Sequence, residues 1–188
     1  LALEAWLEAR KTHPNLRLIL VPRHPDRFDS VAEMVVSMGH SLLRRSQHNT
    51  GEPPADHHDV VLLDTIGELA SCWGLADVAF VGGSLTNRGG QNMIEPAAYG
   101  AAVLFGPNTQ NFQDIVEELL ERGGARVVAD GTALTQRLCE LLDDSTTANS
   151  LGEAARGLVF SRQGATATTL GILEDILPDH SISMTTAS

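Results

Sequence analysis

The chain has 188 residues, 43% of them apolar and 20% charged, with 24 acidic against 13 basic side chains and a formal charge of −11. That balance belongs to a globular domain with a real core rather than to a disordered segment. A chain this acidic is ill suited to nucleic acid, where neutralising phosphates supplies most of the affinity.

No apolar run approaches the ~20 residues that span a bilayer. Two cysteines, Cys72 and Cys139, cannot make a disulfide framework; both fall in helical patterns and read as buried thiols of a cytosolic protein. The charge is unevenly spread. Residues 1–50 hold seven basic and five acidic side chains, the remainder six and nineteen, and Lys11 is the single lysine. Arginine's rigid fork suits phosphate and carboxylate, so this excess is what a specific anion site would need; GC-rich coding produces the same excess. The chain opens at Leu1, inside a helical pattern and without initiator Met, signal peptide or transit pattern, and reads as part of something longer.

In chain order, residues 1–12 predict an amphipathic helix stopped by His13-Pro14. The run 16–21 predicts a buried parallel strand, and the prolines of 22–27 end it. A helix follows from Phe28 to Met38, closed by Gly39, then a short strand at 41–45. The polar stretch 46–58, with Gly and Pro-Pro, predicts an exposed loop. Strands are expected at 60–64, 78–82, 102–106 and 125–128. Helices are expected at about Gly67–Gly74, Asn92–Tyr99, Phe112–Glu121, Thr132–Leu142, 146–162 and 164–177, before a polar tail over 178–188. Alternation at this spacing predicts an α/β fold, a Rossmann-like, doubly wound parallel sheet of about six strands.

In such a sheet, ligands bind outside the carboxyl ends of the strands. Four strand ends carry Gly, Pro, Arg, His or Asn: 22–25, 64–68, 83–96 and 107–111. Paired glycines at 82–83 and 89–90 let backbone approach a ligand and expose N–H groups. A helix from Asn92 would present free N–H groups to a phosphate or carboxylate. Glu95 could accept from a sugar diol, or simply favour the helix dipole. Arg23 suits a phosphate oxygen; His24 could donate to a ligand or cap a helix. Thr65 and Glu68 fit a capping box, while Gly67 would equally permit close approach of a base. His57-His58 lies between Asp56 and Asp59, yet in a loop at the other sheet edge, and reads as solvated rather than metal-binding. G-x-G-x-x-G after a strand, the P-loop and G-x-S-x-G are all absent.

The segments VPRHPDRF (21–28), DTIGEL (64–69), ADVAFVGGSL (76–85), GGQNMIEPAAYG (89–100) and GPNTQNF (106–112) occur in an order and spacing that resembles bacterial Kdo transferases, Kdo being 3-deoxy-D-manno-octulosonic acid. The resemblance covers residues 1 to about 177. It implies the carboxyl-terminal, donor-binding half of a two-domain GT-B glycosyltransferase. In that family CMP-Kdo is the donor and a lipid A precursor the acceptor. By resemblance, CMP lies among Pro22 and Arg23, Ile66, Gly67 and Glu68, and Asn92, Met93, Ile94 and Glu95. His24, Gly83 and Ser84 are further candidate donor contacts. The chain departs from the family pattern in having Gln91 where His is common and Ile66 where Met is common. The resemblance implies no metal or other cofactor for holding the donor. It places the acidic general base, the acceptor site, the membrane contact at the inner face and a further glycine-containing strand outside this chain, so no catalytic residue is expected here. Two other readings stand beside it: another GT-B nucleotide-sugar enzyme, such as a UDP-sugar transferase or epimerase, and a non-catalytic module that keeps the fold.

Overall fold

A computed structural model describes residues 1–48 and 57–162. The expected helix at 164–177, the tail at 178–188 and most of the 46–58 loop lie outside the described residues.

Among the described residues six strands form where the β-branched and leucine-rich runs predict them: β1 (Leu18–Leu20), β2 (Leu42–Arg44), β3 (Val60–Leu62), β4 (Val78–Val81), β5 (Ala102–Phe105) and β6 (Ala125–Val127). All pair in parallel, but as two three-stranded sheets, β1-β3-β2 and β4-β5-β6, rather than as one continuous ladder. Strand–helix alternation specifies parallel pairing; it does not say which strand sits beside which, so this division was outside the reach of the pattern.

Among the described residues seven α-helices accompany these sheets: α1 (Ala2–Ala9), α2 (Phe28–Ser37), α3 (Leu69–Trp73), α4 (Ile94–Ala98), α5 (Gln113–Glu121), α6 (Gly131–Asp143) and α7 (Ser145–Ser161). In the second sheet the alternation of β5 sorts the core. Val103 and Phe105 meet Ile115, Val116 and Leu119 of α5 and Leu158 of α7. Ala102 and Leu104 meet Leu134 and Leu141 of α6, Leu151 of α7 and Ala5 of α1. A strand covered on both faces has no polar side to show, hence its unbroken apolar run. In the first sheet α2 lies along β3, with Val35 in one cluster with Val60, and Val31 and Ala32 in another with Leu62.

Helix α1 joins the two layers: Leu3 and Trp6 pack with Val35 and Val60, while Ala5 packs with the second sheet's core. Aspartates cap the starts of α6 and α7. Asp130 accepts from the Ala133 N–H at 2.8 Å, and Asp144 accepts from Thr146 and Thr147.

Three helix expectations need correction. The first helix ends at Ala9 and continues only as turns to Thr12. The third expected helix cannot include Gly67, whose φ of +92° is left-handed, so α3 is only five residues. The helix expected from Asn92 starts at Ile94, because Asn92 Oδ1 accepts the Ile94 N–H at 2.9 Å in an Asx turn. The cysteines also differ from expectation: Cys72 and Cys139 are half-buried rather than buried.

Candidate functional site

The chemistry-bearing loops leave the carboxyl ends of the strands, as parallel pairing within each sheet requires. After β1, Pro22 is half-buried, while Arg23 and His24 are exposed before the helical turn Pro25–Arg27. The side chains of Arg23 and His24 find no hydrogen-bond or ion-pair partner among the described residues. An arginine held on a proline-flanked loop with its five donors unspent is ready for an anion.

After β3 the chain is tightly held. Asp64, 8% exposed, accepts from the Ser46 N–H at 2.8 Å, the Ser46 hydroxyl at 2.6 Å and Arg44 Nε at 2.7 Å. Burial alone would raise its pKa, but the Ser46 bonds and Arg44 outweigh that and hold it below the usual carboxylate range. Arg44 also pairs with Asp29 at 2.6 Å, and the hydrogen bonds to Asp64 and Asp29 raise the guanidinium's own pKa. This network pins the loop that follows. Ile66 stands 84% exposed at its tip, an apolar side chain with nothing to cover it. Glu68 accepts from Arg45 Nη2 at 2.6 Å and from the Thr65 hydroxyl, and the Thr65 bond, then Arg45, hold its carboxyl low. The capping-box expectation is therefore corrected: α3 begins at Leu69, and Thr65 meets the carboxylate of Glu68 instead of its backbone N–H.

After β4 the glycine loop is anchored rather than loose. Ser84 is fully buried; its hydroxyl donates to Val81 O at 2.6 Å and accepts from the Gly106 N–H at 2.8 Å. Its side chain is thereby occupied in joining the ends of β4 and β5. Gly83, also a candidate, is half-buried with φ +77° and lies beside Gly90 and the Arg88 stem. Asn111 donates to Arg88 O at 3.2 Å and Gly90 O at 3.3 Å. Gly89 and Gly90 have φ of +79° and +76°, and a Cβ on Gly89 would lie 2.7 Å from the Asn111 amide. Glycine is needed there by both conformation and space.

At the end of this loop, Asn92 and Glu95 are half-buried, Ile94 is exposed, and Met93 is fully buried with its side chain in the second sheet's core. Only the backbone of Met93 is left to meet a ligand. Each oxygen of Glu95 is held: Oε1 by Asn92 Nδ2 at 2.9 Å, Oε2 by Trp73 Nε1 at 3.2 Å. The expected helix N-terminus contributes little as an anion site, since α4 has five residues and its Ile94 N–H is already taken.

At the other sheet edge, His57 Nδ1 accepts from Arg17 Nη2 at 2.5 Å, while His58 is half-buried with its Nδ1 unpartnered. Among the described residues no group of three His, Cys, Asp or Glu is placed to hold a metal ion.

No family model matches the chain. It is similar to the 3-deoxy-D-manno-octulosonic acid transferase of Bordetella pertussis, 39% identical over 176 residues, which are 94% of this chain and 41% of that protein. The transferase of the same name from Haemophilus influenzae is 38% identical over 88% of this chain and 38% of its own length. Among solved structures, the C-terminal CMP-Kdo binding domain of WaaA from Acinetobacter baumannii superposes with a TM-score of 0.75 at 32% identity, over 85% of this chain and 81% of that one. The chain belongs to the Kdo transferase family. It spans about two fifths of the length of the curated relatives it matches. Sucrose-phosphate synthase of Thermosynechococcus elongatus, with a TM-score of 0.52 at 19% identity over 90% of this chain and 48% of that one, shares the fold alone.

Within this member of the Kdo transferase family, the structure adds residues that strand-end reasoning passed over. Arg45 follows β2 directly, at a fifth strand end, a position hidden in the sequence because the strand is expected to run through residue 45 and in the structure stops at Arg44. Trp73 had none. Its indole reaches Glu95 only because the end of α3 lies against α4, a contact no local spacing encodes.

Proposed function

We propose that this chain binds the nucleotide of CMP-Kdo at the carboxyl edges of its two sheets, as the donor-binding part of a glycosyltransferase that moves Kdo to a lipid A precursor. The observation that carries this is the presence of two pre-held carboxylates, Glu68 and Glu95, together with an unpaired Arg23 on the loops that bear the family's motifs. Arg23 would bond the phosphate, with His24 and the Gly83 backbone as further donor contacts. Pro22, Ile66, Gly67 and the Met93 backbone would frame the cytidine, and Glu68, Asn92, Ile94 and Glu95 would complete the nucleotide's contacts. Ile66, bare in solvent, would be covered by the bound nucleotide, recovering the burial it lacks.

The reaction follows from what such a donor can do. The acceptor hydroxyl attacks the anomeric carbon as the bond from that carbon to the CMP phosphate oxygen breaks; the electron pair leaves with CMP and configuration inverts. A base in the remainder of the protein takes the hydroxyl proton. This domain's part is to hold the leaving group and stabilise its growing charge, chiefly through Arg23. The site of action is the cytoplasmic face of the bacterial inner membrane; in this domain no described helix is long and apolar enough to cross a membrane.

Titrating the chain calorimetrically with CMP tests the assignment of Arg23. Arg23→Ala should weaken binding by ~1–3 kcal/mol, the worth of a charge-assisted hydrogen bond, or about 5- to 150-fold. Unchanged affinity would remove Arg23 from the site.

A further inference from the structure

We infer that Trp73 is a positioning residue for Glu95, and that α3 is a strut coupling the two nucleotide-contacting glutamates. This rests on the CMP reading above and adds a residue that neither the motifs nor the strand ends designate. Helix α3 has five residues; Glu68 immediately precedes it and Trp73 ends it. At one end Glu68 is clamped by Arg45 and Thr65 on the first sheet's edge. At the other the Trp73 indole N–H donates to Glu95 Oε2 at 3.2 Å on the second sheet's edge. Asn92, donating to Oε1 at 2.9 Å, completes the hold.

A carboxylate accepts at about four lone-pair sites. One donor on each oxygen therefore fixes the rotamer and still leaves each oxygen an acceptor for a ligand hydroxyl. Tryptophan is well matched to this role, because its rigid ring presents one N–H and no acceptor. It can hold a carboxylate and cannot compete for the ligand's protons. Ordering Glu95 beforehand removes that cost from binding. Gly67, left-handed just before Glu68, lets the loop turn sharply into so short a helix.

The experiment is CMP titration of the full chain by calorimetry, with unfolding midpoints measured in parallel. Trp73→Phe, which removes the N–H and keeps an aromatic ring, should weaken CMP ~3- to 10-fold. Trp73→His restores a ring N–H on that side and should recover most of that loss. A role in filling space predicts the reverse order, because Phe is nearer in volume. In a Glu95→Ala background, Trp73→Phe should change affinity less than about twofold. The chain has two tryptophans, and Trp6 is buried in the first sheet's core against His40 and Arg10. Saturating CMP should therefore alter emission in the wild type and leave it unaltered in Trp73→Phe. Wild-type affinity in Trp73→Phe, or an undiminished effect of it in the Glu95→Ala background, overturns the inference. If the wild-type chain itself fails to bind CMP, the nucleotide reading is what falls.

Discussion

Asp64 shows how single residues prepare this site without entering it. It sits at the end of β3 with Ser46 and Arg44 around its carboxylate, and Arg44 passes the connection on to Asp29 at the start of α2. Removing the carboxylate leaves the Ser46 N–H without its acceptor and takes away one of Arg44's two carboxylate partners. Asp64→Ala should lower stability by about 2–3 kcal/mol in urea unfolding, the cost of losing hydrogen bonds to a charged group. A change under about 0.5 kcal/mol would mean that water replaces the network freely. The pH dependence follows in sign. Asp64 and Glu68 are both held below their ordinary values. Each contributes stability that is complete above its unfolded pKa, near 4, and is lost as pH falls through the lower folded value. Stability should thus be flat from about pH 7 to 5 on their account and fall below about pH 4. Asp64→Asn should flatten that fall, as measured by unfolding at a series of pH values.

At the scale of elements, most of the fold was legible and the two misplaced helix starts share one cause. Strands such as β5 were readable because burial on both faces leaves an unbroken apolar run, and its central position follows from that. Helix starts at Gly67 and Asn92 were misplaced because side chain and backbone geometry there serve the loops: a left-handed glycine in one case, an Asx turn in the other. The candidate site is readable in the sequence only as residue types whose chemistry suits the proposed nucleotide, as with Arg23, Glu68 and Glu95. It was illegible where the partner arrives by tertiary packing, as with Trp73 on Glu95 and Asn111 beneath the glycine loop. That loop gives its own test. Gly89→Ala meets both a left-handed φ and the Asn111 amide, and should destabilise the chain by about 1–2 kcal/mol from the backbone alone. Thermal unfolding measures it, and an unchanged midpoint would show that the loop relaxes without cost.

For the molecule as a whole, two parallel sheets bring their loops to their carboxyl edges, and α1 and α3 tie one sheet to the other. On the proposed reading, the charge of −11 is compatible with an anionic ligand because cations are available locally: Arg23 and, on the same loop, Arg27 stand unpaired among the described residues, while Arg44 and Arg45 are spent on carboxylates. Such a site gains affinity from a few placed donors rather than from net charge, so moderate salt should weaken it only modestly. The central claim is that these loops recognise a cytidine nucleotide. Parallel calorimetric titrations of the chain with CMP and UMP test it most directly, since the two differ at the base edge and share the ribose and phosphate. CMP should bind at least about tenfold more tightly, the worth of one hydrogen bond; equal affinities, or binding of neither, would contradict the account.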